Sequence, residues 1–195
     1  MTRLRLAIII SGRGSNMEAI LKACQDITYP AEPVLVVSNR PEAAGIAVAA
    51  AYGVTTTSID HKQFGNDRAA FECELDKTLS AADVEIVALA GFMRILTPWF
   101  VERWTGRLVN IHPSLLPKYP GLNTHARALA AGDKEHGCSV HWVTSGVDAG
   151  EIIDQSRIAI HPGDTPEDLA NKLLPVEHEL YPRALAKACR NNLKT

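Results

Sequence analysis

The chain begins its structured part with LRLAIII (Leu4–Ile10), a near-continuous aliphatic run that stops at Ser-Gly. A strand without polar alternation must be covered on both faces, which in water means helices above and below a sheet. The same element recurs. PVLVVSN (33–39), VTTTSI (54–59), VEIVALAG (84–91) and RLVNI (107–111) all read as strands. Between them lie segments with helical spacing. These are NMEAILKACQ (16–25) behind a Ser/Asn-rich start, an alanine-rich helix from Pro41 to Gly53, and DRAAFECELDKTL (67–79). Strands alternating with crossover helices predict an α/β fold with a mainly parallel sheet flanked by helices.

Beyond Gly137 the rhythm changes. CSVHWVTSGVDAGEIIDQSRIAI reads as two strands joined by a turn, and the segment from Asp164 to Leu193 as a last helix interrupted around Pro175. No repeats, low-complexity tracts or linkers break the 195 residues, so one domain spanning 1–195 is expected. With 46% apolar and 22% charged residues and a net charge of −2, there is no basic excess to recruit nucleic acid. The apolar start is too short for a secretion signal or membrane span, so no membrane partner is expected. Cys24, Cys73, Cys138 and Cys189 show no CxxC spacing and read as reduced, mostly core thiols of a cytoplasmic protein.

Three stretches invite a functional reading. SGRGSN (11–16) lies between the first strand and first helix, where open α/β sheets bind ligands. Its glycines permit close backbone approach, and helix-start amides attract an anion such as phosphate. It is neither a dinucleotide fingerprint, because Met17 stands where a third glycine is needed, nor a P-loop. A plain tight turn with an Asn cap explains it equally well. Asn110 and His112 are two apart at the C-terminal end of a strand and share one face. An amide beside an imidazole suits oxyanion stabilisation and proton transfer, and equally a satisfied polar pair. The chain just beyond this strand is stiffened by Pro113, Pro117 and Pro120. Asp148, before Ala-Gly, reads alone as turn chemistry. His136 and His141 fall on opposite strand faces, His61, His125 and His161 have no ligand spacing, and no metal site is expected. No GxSxG or Cys–His pair marks a covalent nucleophile.

FMRILTPWF, GRLVNIHPSLLPKYPGLNTH, HGCSVHWVTSGVDAG and EHELYP together resemble the phosphoribosylglycinamide formyltransferases of purine biosynthesis, from residue 4 to about residue 185. The resemblance implies a Rossmann-like formyltransferase sheet, with an N-terminal half binding ribonucleotide phosphate and a C-terminal half binding folate. It implies neither the C-terminal domain of methionyl-tRNA formyltransferases nor the N-terminal regulatory one of formyltetrahydrofolate deformylases. Asn110, His112 and Asp148 match the family's catalytic trio. Gly14, Ser15 and Asn16 match its phosphate loop, with Arg13 adding charge, and Glu177 its ribose-contacting carboxylate. Met93, Arg94, Ile95 and Leu96 match the segment bordering the pterin, and Val143, Thr144 and Val147 belong to a facing loop. Arg68 matches a basic residue near the folate's carboxylate tail. Departures are Arg13, Asn123 where histidine is frequent, Cys138 where threonine is, and a less acidic SGVD loop.

The implied reaction moves a formyl group from 10-formyltetrahydrofolate, as co-substrate and without metal, to the amine of glycinamide ribonucleotide. A protonated His112 and the Asn110 amide would hold the oxyanion, with Asp148 relaying a proton. The alternatives are a deformylase that passes formyl to water and a non-catalytic nucleotide or folate module. Partners are small molecules, and the chain is expected as a monomer or homodimer.

Overall fold

The computed structural model describes residues 2–193. Seven strands form one sheet: β1 (Leu4–Ile10), β2 (Ala31–Ser38), β3 (Thr55–Ser58), β4 (Ile86–Leu89), β5 (Leu108–His112), β6 (Glu135–Trp142) and β7 (Ile152–Ala159), in the order β3-β2-β1-β4-β5-β6-β7. The first five run parallel, β6 pairs antiparallel with β5, and β7 pairs antiparallel with β6 at the edge. The mainly parallel, helix-flanked sheet expected from the aliphatic rhythm is therefore present. Strand order reverses between β1 and β4, and that reversal opens a crevice at the C-terminal edge, where open α/β sheets take ligands.

Both faces of the central strands are buried. On one side Leu6, Ile8 and Ile10 join Met17 and Ile20 of α1 (Ser15–Ala23) and the apolar stripe of α6 (Pro166–Asn192). On the other, Ala7 and Ile9 pack with Phe71, Leu75 and Leu79 of α3 (Arg68–Ala81) and Phe100 of α4 (Pro98–Arg103). Among the described residues the remaining α-helices are α2 (Gly45–Ala51) and α5 (Thr124–Ala130), and a single 3-10 turn covers His61–Phe64. Among the described residues no helix is long and apolar enough to cross a membrane.

Three local expectations are corrected. The helix expected to start at Pro41 starts at Gly45, because residues 40–44 turn first and the Gly45 amide donates to the Gly12 carbonyl at 3.0 Å. α1 has no Asn cap. Its N-cap is Gly14 at φ 73°, a left-handed conformation open to glycine, and no side chain caps the helix. The last helix is not interrupted at Pro175, but runs through Pro175 and Pro182 for 27 residues. An interior proline costs about 3 kcal/mol. Burying a large apolar side chain returns roughly 1.5–3 kcal/mol each, and α6 buries Leu169, Leu173, Leu180, Tyr181 and Leu185. Tertiary burial outweighs the local break. Tyr181 Oη also reaches the carbonyls of Leu89 and Val109, at 2.9 and 3.1 Å, tying α6 to β4 and β5.

Candidate active site

Antiparallel pairing of β5 with β6 sets Asn110 opposite His141 and His112 opposite Ser139. Cross-strand partners share a face, so Asn110, His112 and His141 project to the same side, where Asp148 meets them. Asp148 Oδ2 lies 3.2 Å from His112 Nδ1, and Oδ1 lies 3.5 Å from His141 Nε2. Asn110 Nδ2 is 3.4 Å from that same His141 Nε2. His141 Nδ1 faces the Trp142 carbonyl at 2.9 Å, which directs Nε2 into the cluster. Asp148 itself takes φ 49°. A left-handed aspartate is uncommon, and here it turns the carboxylate back onto the strands.

The proline segment after β5 completes this cluster with its backbone. His112 Nε2 donates to the Tyr119 carbonyl at 2.9 Å, and the Gly121 amide donates to Asp148 Oδ2 at 2.9 Å. The segment is fixed from below: Ser139 Oγ donates to the Ser114 carbonyl and accepts from the Leu116 amide, and Gln155 Nε2 donates to the Leu116 carbonyl. The stiffness visible in the sequence therefore holds two backbone groups against the imidazole and carboxylate.

Burial pulls the His112 pKa below the ordinary imidazole value, against the Tyr119 carbonyl and the Asp148 charge, which favour the cation. Those two acceptors, the carbonyl at Nε2 and the carboxylate at Nδ1, each call for a proton on the ring nitrogen they face. For Asp148 burial alone would raise the pKa. The hydrogen bonds from His141 and the Gly121 amide and the neighbouring imidazoles outweigh it and hold the carboxyl below its usual range. Burial pushes the Cys24, Cys138 and Cys189 thiols up to about 12, far from a nucleophilic thiolate.

Two further surfaces border this cluster's edge of the sheet. At the β1–α1 loop, Gly14, Ser15 and Asn16 open α1. Asn16 Nδ2 donates to Glu177 Oε2 of α6 at 2.7 Å, while the buried Asn16 Oδ1 has no partner. Burial raises the Glu177 pKa, opposed by that hydrogen bond. Past β4, an open groove of about 430 Å³ is lined by Gly65, Asn66, Arg68, Met93, Arg94 and Ile95. Arg68 opens α3 behind the Asp67 cap, and the Arg94 guanidinium lies 5.3 Å from the Phe71 ring centre.

Comparison with known proteins gives this arrangement a family. The formyl transferase family profile matches residues 4–185. The phosphoribosylglycinamide formyltransferase of Escherichia coli (strain K12) is 41% identical over 191 residues, covering 98% of this chain and 90% of that protein. The crystal structure of phosphoribosylglycinamide formyltransferase from Brucella melitensis superposes with a TM-score of 0.91 at 46% identity, over 96% of each chain.

The chain belongs to the formyl transferase family.

Its relatives of comparable length carry the name phosphoribosylglycinamide formyltransferase. The trifunctional purine biosynthetic protein adenosine-3 of Drosophila melanogaster is 48% identical over 186 residues, but the chain spans only 14% of that protein. Against the family resemblance, Asn110, His112 and Asp148 stand together, and Arg68, Met93, Arg94 and Ile95 share one groove. Asn16 meets Glu177 across the molecule, so the glycine loop is joined to the C-terminal helix. Arg13 is exposed. Leu96 and Val143 are partly buried against the apolar cluster beneath the sheet, while Thr144 and Val147 are both exposed on the loop before Asp148. His141 is the residue that sequence reasoning left out of the site. Its signal lies in the pairing of HWV against VNI, once β6 is taken to return antiparallel to β5.

Proposed function

We propose that this formyl transferase moves the formyl group of 10-formyltetrahydrofolate to the primary amine of glycinamide ribonucleotide, a step of purine biosynthesis. The observation that carries the reading is the Asn110–His112–His141–Asp148 cluster, set beside a glycine-rich helix start and an arginine-bearing groove. The names of relatives of comparable length support formyl transfer to that acceptor.

The ribonucleotide phosphate docks at the uncapped start of α1, where backbone N–H groups and the helix dipole favour an anion. Arg13 adds positive charge at its rim. Asn16 Oδ1, a buried acceptor without a partner, and the Glu177 carboxylate receive hydroxyl or amine donors of the same ligand. The pterin lies against Met93, Arg94, Ile95 and Leu96, faced by the loop of Val143, Thr144 and Val147, with Arg68 toward the carboxylate tail.

The acceptor amine attacks the formyl carbon. A nitrogen–carbon bond forms and the carbonyl oxygen becomes an oxyanion. The Asn110 Nδ2 group has a hydrogen to give that oxygen, and His112 turns Nε2–H to it from the Tyr119 carbonyl. Negative charge on that oxygen favours the protonated imidazole, as do the Asp148 carboxylate at Nδ1 and the Tyr119 carbonyl at Nε2. Ionised Asp148 takes the proton lost by the amine and passes it, through water, to the folate nitrogen as the carbon–nitrogen bond to the donor breaks.

The test is to incubate the protein with 10-formyltetrahydrofolate, with and without glycinamide ribonucleotide, and monitor tetrahydrofolate release. Release that requires the ribonucleotide supports the proposal. Equal release into water alone would make the protein a deformylase, and no release in either arm would make it a binding module.

A further inference from the structure

The loop that carries the pterin-side residues has little regular structure of its own. It leaves β4 after the Ala90 amide bonds the Ile9 carbonyl at 2.9 Å, passes the left-handed Gly91, and reaches α4 at the Thr97 cap. Phe92 and Leu96 pack against the apolar cluster, while Met93 and Ile95 are exposed at 70% and 65%. Two polar side chains fix the backbone at the loop's ends. The buried Glu72 carboxylate of α3 accepts from the Thr97 amide at 2.8 Å and from the Thr97 hydroxyl. At the other end, the Met93 amide donates to Ser11 Oγ at 2.8 Å.

Ser11 is the first residue after β1 and opens the glycine loop on its other side. Its hydroxyl donates in turn to Asn39 Oδ1 at 2.6 Å. Asn39, the first residue after β2, is steadied by His61, whose Nδ1 lies 2.7 Å from the Asn39 carbonyl. Ser11 and Asn39 are 4% and 2% exposed, so neither touches solvent freely. A hydroxyl has one hydrogen to give and lone pairs to receive. Ser11 uses both, joining the end of β2, the end of β1 and the loop after β4 in one line across the strand reversal.

We infer that Ser11, oriented by Asn39, is a positioning residue for the folate side of the site: it sets the height of the Met93 backbone against the pterin while sitting at the root of the phosphate loop. Neither residue touches the reacting atoms, and their effect runs through the Met93 amide. The inference rests on the proposed folate substrate for its binding readout and on the loop geometry alone for its exchange readout.

The test uses Ser11→Ala, Ser11→Thr and Asn39→Ala in the full chain. Removing the hydroxyl leaves the Met93 amide and Asn39 Oδ1 without their partner, a loss that weakens a dependent interaction about 10-fold. Amide exchange of the peptide covering residues 91–97 should quicken about 10-fold in Ser11→Ala, with β1 and β4 protection unchanged. By calorimetry, tetrahydrofolate should bind about 10-fold more weakly, with glycinamide ribonucleotide affinity nearly unchanged. Ser11→Thr, which keeps the hydroxyl, should restore both, and Asn39→Ala should act in the same direction as Ser11→Ala. Unchanged exchange at 91–97, equal weakening of both ligands, or no rescue by threonine overturns the inference. If the wild-type protein fails to transfer formyl, the proposed function falls, and the exchange result still decides the role of Ser11.

Discussion

At the scale of single residues, the site is a set of polar side chains whose charges are arranged by backbone. His112→Ala and Asp148→Asn should each lower turnover at least ~100-fold, as expected for loss of an oxyanion donor or proton relay, with folding and ribonucleotide binding retained. Near-full activity in either variant would remove that residue from the chemistry. His141→Ala should lower kcat by about 10-fold, less than the other two because it acts through Asp148 and Asn110 rather than on the substrates. Steady-state kinetics would separate this from a KM effect. Asn110 and His112 were legible in the sequence because parity along one strand is enough to put them on one face. His141 was not, because its place depends on the register of a partner strand, 31 residues along the chain from Asn110. At Asp148 the turn reading holds, and the turn also has a directional consequence. The Asp-Ala-Gly turn is real, and the left-handed backbone of that turn is what aims the carboxylate at His112.

At the scale of elements, the glycine loop is held from outside by α2. A Cβ on Gly45 would sit 2.5 Å from Ile10 Cδ1, 3.0 Å from the Gly12 carbonyl and 3.2 Å from the Arg13 carbonyl. Gly45→Ala should therefore destabilise the fold by about 1–3 kcal/mol and raise the ribonucleotide KM, leaving that of the folate nearly unchanged. Denaturant unfolding and two-substrate kinetics check the two parts. The sequence pattern reveals this helix but puts its start at Pro41, because nothing local shows that Gly45 must fit beneath another loop. The same holds for α6, where a proline looks like a stop until the burial of the helix face is counted. A second element-scale consequence lies behind the proline segment. His125 Nδ1 and His136 Nε2 are 2.9 Å apart, and burial, aided by the His125 charge, pulls the His136 pKa down to about 4. His112, His125 and His178 are shifted the same way, mainly by burial. A histidine whose folded pKa is depressed binds fewer protons folded than unfolded, so stability rises with pH through that window. Thermal stability should therefore fall as pH drops from about 6.5, the unfolded imidazole value, toward 4. A melting temperature that stays flat or rises over that range would contradict the paired, neutral arrangement.

At the scale of the whole molecule, the sheet reversal between β1 and β4 brings three unrelated stretches to one edge: the glycine loop, the arginine-bearing groove and the β5–β6 cluster. The alternation of aliphatic runs with helical spacing made the sheet readable from the sequence pattern, since fully buried parallel strands cannot hide their apolar character. The meeting of Asn16 with Glu177, 161 residues apart, carries no local signature, and only the family resemblance anticipated both as neighbours of one ligand. If the glycine loop holds a phosphate, removing that phosphate from the acceptor should raise its KM sharply, with the folate KM unchanged. An acceptor that works equally well without phosphate would refute that placement. The most direct measurement tracks the formyl carbon itself. With 10-formyltetrahydrofolate labelled by carbon-13 at the formyl group, the nuclear magnetic resonance signal should move from the donor into an amide of glycinamide ribonucleotide, one for one and without free formate. Labelled formate accumulating at the same rate whether or not the ribonucleotide is present would contradict direct transfer.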